Sequence, residues 1–423
     1  YSSGMKEYGY YRALDTDMSG KVVMMDFGLV YLTGGATYNF NQSTVIVTGS
    51  RDYDDAARIE GLSPWNTKLY AHNSEWVSIA MNDDGEAQGF RLGLEGRNYL
   101  VPDIQDSVLS GVAHIGTSYG PKYSWSSFYN WEADFFNIQN NTITHFRDSD
   151  VSAGVYTADI CMNSGVKNTT VMNNVVNNCA VGIQFERTAY SFYHSRSEWG
   201  ADGAIIEGNT FHDTEYLDVW FYLNSYADNV TVRNNEFTGS SAPGYNVYTQ
   251  DRTTIGLVVD DNTFSNGQEP IYMRGGLDWE ITDNTIYGDG DASHIGIATR
   301  NGYGIIDGNT LIDADGGILV DQITANQVVN ITNNDISQSA GRSAPSAVGI
   351  WAEDCASSII NTGGNTISVM ENALVTDGCD INDSGSTFTA VGGAGGTVYT
   401  VQILSRSYAP QNLTINEGDS VRW

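Results

Sequence analysis

The sequence predicts an all-β protein: a parallel β-helix of about nine or more coils, followed by a short sandwich-like strand segment. Three observations predict it. The composition, with 46 glycines, 7 prolines, 25 tyrosines and 9 tryptophans, favours strands and tight turns over helices. A six-residue pattern, apolar-x-x-Asn-x-apolar, recurs with successive asparagines 22–35 residues apart. Roughly ten residues after each Asn stands a second apolar alternation. Two or three short strands per coil bury their inward side chains against the coils above and below, and stacking supplies the ladder hydrogen bonds.

Residues 1–130 show the pattern least. Val22 to Met25, Thr44 to Val47 and Phe90 to Leu94 form strands between Gly, Asn and Asp turns, either early coils with insertions or a cap over the first coil edge. The β-helix proper is expected over 131–390. Its repeats run through Ile138-x-x-Asn141-x-Ile143, Val171-x-x-Asn174-x-Val176 and Ile206-x-x-Asn209-x-Phe211. They continue at Asn235, Asn262, Asn284, Asn309 and Asn334, and a ninth copy, Ile360 to Asn365, carries two extra residues before its Asn. A propeller blade needs a longer period, and the segments lack the helical periodicity that a leucine-rich coil uses for its return. Each Asn is expected to hold the strand-to-strand corner in a left-handed backbone and to stack as an amide ladder. The second alternations include Ile183 and Phe185, Ile271 and Met273, Ile295 and Ile297, Ile318 and Val320, and Ile350 and Ala352. Residues 391–423 are a linker or partial β domain.

The corners NNTI, GNTF and NNDI, alternating with VGIQF, GGILV and VGIWA, resemble the right-handed parallel β-helix repeats of the pectin-lyase-like superfamily. The resemblance covers about 131–380. It implies the fold and leaves the activity open, because that superfamily includes lyases, epimerases, tailspikes and adhesins. Separately, the stretch 399–423 resembles the opening strands of cupredoxin domains through P-x-x-L-T-I-x-x-G-D-x-V-x-W. The His, Cys and Met ligands of that family have no counterpart here, so no copper site is carried over.

Charge bounds the partners. Lys plus Arg is 20 against 51 Asp plus Glu, a net charge of −31, which excludes nucleic acid as a main partner and any polybasic membrane attachment. No apolar run is long enough to span a bilayer. The chain starts at Tyr1 without a signal peptide and stops at Trp423, so it is expected to belong to something longer or to be processed. Cys355 and Cys379 each lie five residues after an equivalent strand residue, Ile350 and Leu374. They are expected to stack within disulfide range and to mark an oxidised, extracellular chain. Cys161 and Cys179 occupy unequal positions and are not expected to pair.

Alternation in the strand from Leu217 to Leu223 places Asp218, Trp220 and Tyr222 outward. Alignment with neighbouring coils adds Gln184 and Glu186, then Tyr248 and Gln250, Tyr272 and Arg274, Leu319 and Asp321, and Trp351 and Glu353. The stripe is a candidate glycan surface, with Glu186, Asp218, Trp220, Tyr222, Tyr248, Tyr272, Arg274 and Trp351 as contacts. A lyase needs a base and a group that neutralises the uronate carboxylate, for which Arg274, Tyr272 and His194, in the long loop Arg187 to Gly203, are the candidates. Equally, such residues are what a solvated strand face carries. The paired-Asp and Asp-Pro-His signatures of known β-helix enzymes are not found. Asp289 and Asp291 form an acidic turn able to take Ca²⁺ through oxygen ligands, as any acidic chain of this charge has acidic turns. Two functions follow. The preferred one is an extracellular, cell-surface structural or adhesive β-helix, a stalk or filament subunit whose partners are polysaccharide or neighbouring copies joined by strand or coil-end stacking. The alternative is a polysaccharide lyase, epimerase or hydrolase acting on an acidic glycan.

Overall fold

The computed structural model describes residues between 16 and 422, with breaks of which 118–135, 146–159 and 186–200 are the longest. No helix occurs among the described residues. The chain divides into two units, Tyr1–Val230 and Thr231–Trp423. Each winds as a β-helix with three strands per coil, here called the first, second and third faces in chain order.

In the second unit the first-face strands are Thr231–Arg233, Val258–Asp260, Leu277–Thr282, Tyr303–Asp307, Val328–Thr332, Ile359–Gly363 and Asp380–Ser384. Each pairs in parallel with the next, as in Val259↔Ile281, Ile306↔Ile331 and Ile331↔Thr362. Ile360 aligns with Val329 and Thr362 takes the apolar slot three residues before Asn365. The ninth copy therefore has regular length, and what breaks its pattern is a buried threonine whose hydroxyl donates to Asp383 at 2.8 Å. The third-face strands are Tyr245–Thr249, Ile271–Arg274, Ile295–Arg300, Gly316–Asp321, Val348–Glu353 and Asn372–Asp377.

The first unit is built the same way from its first described strands. Val22–Met25 pairs in parallel with Thr44–Val47, and Thr67–His72 with Leu100–Gln105. The described strands from Val22–Met25 to Leu100–Gln105 thus pair coil on coil. Inward residues stack in columns along each unit's core: Phe40, Trp76 and Phe90 in the first, and Phe237 on Phe264 with centroids 4.8 Å apart in the second.

The corner between first and second faces divides its work between two residues. The left-handed backbone falls on the residue before each repeat asparagine: Asn140 (φ 55), Asn173 (φ 54), Asn234 (φ 53), Asp261 (φ 51), Asp283 (φ 51) and Asn333 (φ 54). This corrects the assignment of that conformation to the repeat asparagine itself. The following residue is buried and forms the ladder. Asn235, Asn262, Asn284, Asn309 and Asn334 each donate their backbone N and Nδ2 to the Oδ1 of the next, 2.9–3.0 Å away, and Asn365 ends the series as an acceptor. In the first unit Asn141 donates in the same way to Asn174, and Asn174 to Asn209. Earlier coils place Ser43, Ser74 and Ser107 after Gln42, Asn73 and Asp106, all at positive φ.

Both cysteine pairs are bonded. Cys355 and Cys379 lie at equivalent positions, two residues past the paired Glu353 and Asp377, with Cα atoms 5.1 Å apart. Cys161 and Cys179 are also joined, Cα to Cα 5.8 Å. Cys161 lies inside a strand and Cys179 two residues ahead of the neighbouring coil's strand Val181–Phe185, so the bond runs diagonally across a corner, a geometry that equal spacing does not reveal. At the C-terminal side, Leu413–Thr414 lies parallel to Thr387–Ala390, Val398–Thr400 pairs with Ser420–Arg422, and Gln402–Leu404 forms an antiparallel pair with Ser407–Ala409.

Candidate functional site

The third face of the second unit carries two outward columns. Strand register places Tyr248, Tyr272, Ala298, Leu319, Trp351 and Val375 in one. The same pairings place Arg274, Arg300, Asp321, Glu353 and Asp377 in the other. Inward positions beside the first column, Ile271, Ile297, Ile318 and Ile350, are buried and anchor the face. Alternation thus delivers an aromatic and apolar track beside a charged rail whose sign changes from basic to acidic along the axis.

At the basic end three tyrosines cluster. Tyr245 stacks on Tyr248 with centroids 4.7 Å apart and on Tyr272 at 5.1 Å, and Tyr248 meets Tyr272 at 5.4 Å. Burial, then the charge of Glu269, pushes the Tyr245 phenol up to about 12. Burial also raises Tyr272. Both therefore stay neutral hydrogen-bonding groups near neutral pH. A phenol shifted upward is poorly matched to proton abstraction there, which weakens the assignment of Tyr272 as base. Arg300 Nε lies 2.6 Å from Asp321 Oδ2, and Asp321 is only 3% exposed.

Burial raises three carboxyls here. For Glu269 it outweighs the opposing charges of Arg300 and His294. For Asp321 it outweighs the ion pair with Arg300. Glu353 is raised by burial and then by Asp321 and Asp354. An acid whose folded pKa lies above its unfolded value binds more protons when folded, so its contribution is complete below the ordinary value and is lost as pH rises through the folded one. The ordinary value for Glu269 is 4.5. Glu269→Gln should accordingly gain melting temperature relative to the parent chain as pH rises from about 4 to 7. A difference that stays flat or shrinks over that range would contradict the burial argument.

The sequence-derived stripe is only partly assembled. Tyr248, Tyr272, Arg274 and Trp351 share the third face of the second unit, with Arg274 exposed and Trp351 38% exposed. Asp218 and Trp220, in the first unit, are not solvent-facing: they are 1% and 7% exposed, and Gln184 is 4% exposed. The Asp218 carboxylate accepts a hydrogen bond from the Thr214 hydroxyl. Glu186, Tyr222, His194, Asp289 and Asp291 lie outside the described residues. Among the described residues no group of three or more His, Cys, Asp or Glu is arranged to hold a metal ion. Sequence reasoning missed Tyr245, Glu269 and Arg300. Arg300 was within reach, since extending the Ile295 and Ile297 alternation puts Ala298 and Arg300 outward.

A family model described as a right-handed beta helix region matches residues 219–341. The fold is a right-handed parallel β-helix. Among solved β-helix structures the chain is similar to the periplasmic alginate epimerase AlgG, at 10% identity over 90% of this chain and 84% of that one, TM-score 0.42. It is similar to PfbA, a surface adhesin of Streptococcus pneumoniae, at 12% identity over 86% and 85%, TM-score 0.38. It is also similar to the Dettilon tailspike protein, at 13% identity over 85% of this chain and 61% of that one, TM-score 0.33. Identities this low say nothing of activity. No curated protein matches the chain by sequence. The two disulfides of this β-helix suit an oxidising compartment, extracellular or periplasmic.

Proposed function

We propose that the chain is an extracellular, cell-surface β-helical protein that adheres to glycan along the third face of its second unit. The observation that carries this reading is the pair of columns in register, with Tyr248, Tyr272 and Trp351 beside Arg274, Arg300, Asp321 and Glu353. Outward aromatics at partial exposure offer apolar area for sugar rings, and neighbouring charged and phenolic groups supply hydrogen bonds. The test is calorimetry of the intact chain against a panel of neutral, acidic and amino-sugar oligosaccharides. At least one class should bind, and Tyr272→Ala and Trp351→Ala should each weaken binding about tenfold, near 1.4 kcal/mol. Absence of binding across the panel refutes the proposal.

One observation favours a second, enzymatic reading. The Glu269 carboxyl, raised by burial beside Arg300 and the tyrosines, has the properties of a general acid. Incubation with uronate polymers, followed by the absorbance of newly formed double bonds, separates the two readings. Turnover that disappears in Glu269→Gln would replace adhesion by catalysis.

A further inference from the structure

The rail changes character after Arg300. Arg300 is held by Asp321, and the next residues in the column, Glu353 and Asp377, are both acidic. Asp354 adds a further exposed carboxylate next to Glu353. The crowding is felt electrostatically, since Asp321 and Asp354 both help to raise the Glu353 carboxyl. Alongside, Trp351 and Val375 continue the apolar track after the buried Leu319. Trp351 is one of the exposed large hydrophobic residues of the chain. This end of the face is therefore an apolar strip edged by negative charge with no basic residue in its column beyond Arg300.

Resting on the glycan-adhesion reading, we infer that Glu353 and Asp377, beside Trp351, take the protonated amines of a deacetylated amino-sugar polymer. Charge complementarity selects the ligand: polyuronates would meet like charge here and across a chain of net charge −31, whereas an ammonium group meets carboxylates. The apolar column selects a sugar over a generic polycation, because a pyranose ring offers an apolar face to Trp351 and the adjacent valine while its amine reaches the rail. Coil spacing suits a linear polymer. Successive coils lie roughly 4.8 Å apart, close to the length of one sugar ring in an extended chain, so a polymer laid along the axis passes Glu353 and Asp377 on successive coils.

The experiment compares the intact chain with four probes at pH about 6: a glucosamine hexamer, its N-acetylated counterpart, an oligogalacturonate and hexalysine. The glucosamine hexamer should bind at least about tenfold more tightly than the acetylated one, and added salt should weaken it. Asp377→Asn, at an exposed position, should weaken it several-fold with an unchanged melting temperature, Glu353→Gln should weaken it several-fold without lowering the melting temperature, and Trp351→Ala should weaken binding of the sugar but not of hexalysine. Equal binding of the acetylated hexamer, or tighter binding of the uronate, overturns the ligand class while leaving glycan adhesion standing. Hexalysine binding as tightly as the sugar, with Trp351→Ala silent, overturns the sugar assignment. If none of the three sugars binds, this inference fails, and the wider panel of neutral glycans then decides whether adhesion fails with it.

Discussion

Asn262→Val is expected to destabilise the second unit by about 3–5 kcal/mol, the sum of several buried polar groups left without partners. The Asn262 Oδ1 receives the backbone N of Asn235 at 2.9 Å and its Nδ2 at 3.0 Å. Its own Nδ2 donates to Val232 O at 2.9 Å and Asn284 Oδ1 at 3.0 Å. Valine makes none of these bonds, and Asn262 is 1% exposed, so water does not replace them. Because a domain's whole stability is roughly 5–15 kcal/mol, the loss should be plain in guanidinium titration. Asp261 supplies the comparison. It holds the left-handed backbone at φ 51, so Asp261→Gly should be nearly neutral, while Asp261→Val should cost about 1–3 kcal/mol through backbone strain. An Asn262→Val midpoint no lower than that of Asp261→Gly would show that the ladder is dispensable.

The same corner explains how much of the fold was legible. A buried amide must satisfy its donors and acceptor, and a stack of identical amides does so only in register, so the asparagines recur visibly. Sequence alone does not tell the early coils from a cap because Ser74 and Ser107 fill the ladder position, linked hydroxyl to hydroxyl at 3.1 Å. Serine in a turn carries no such signature. The pairs Asn-Asn, Asp-Asn and Gly-Asn in the sequence did contain the left-handed residue, but its role was assigned one position too late.

The site was less legible for a different reason. Alternation fixes whether a side chain points toward the solenoid axis or away from it. It does not say whether other parts of the chain lie over the outer surface, and Asp218 and Trp220 are outward by alternation yet buried. Arg300 was overlooked because its coil offers Ala298 where its neighbours offer Tyr272 and Leu319, so the aromatic track seemed to skip a coil. Glu269 lies before the strand Ile271–Arg274, where periodicity gives no guidance.

Replacing Cys355 and Cys379 by serine together should cost the second unit about 3.5 kcal/mol by the chain-entropy relation for a closed loop of this size; the cysteines are 24 residues apart in sequence. The loss should be local. A β-helix transmits stability mainly between neighbouring coils, and the bond ties the coil of Val348–Glu353 to that of Asn372–Asp377. Beyond it the interior turns polar: Thr362 donates to Asp383, and Asn365 to Ser386 at 3.3 Å. In this column Thr362 and Asp383 stand where Ile281, Ile306 and Ile331 stand earlier, so the coil depends more on the covalent tie. Hydrogen exchange should therefore accelerate in Asp380–Ser384 and Thr387–Ala390 of the double serine variant, while Thr285–Tyr287 keeps its protection. The first unit's bond, whose partners are 18 residues apart in sequence, should contribute about 3.2 kcal/mol by the same relation, and its removal should leave the exchange of Asp380–Ser384 unchanged. Uniform loss of protection through the second unit would contradict the coil-by-coil account, and unchanged exchange at Asp380–Ser384 in the double variant would show that the last coil holds without its bond.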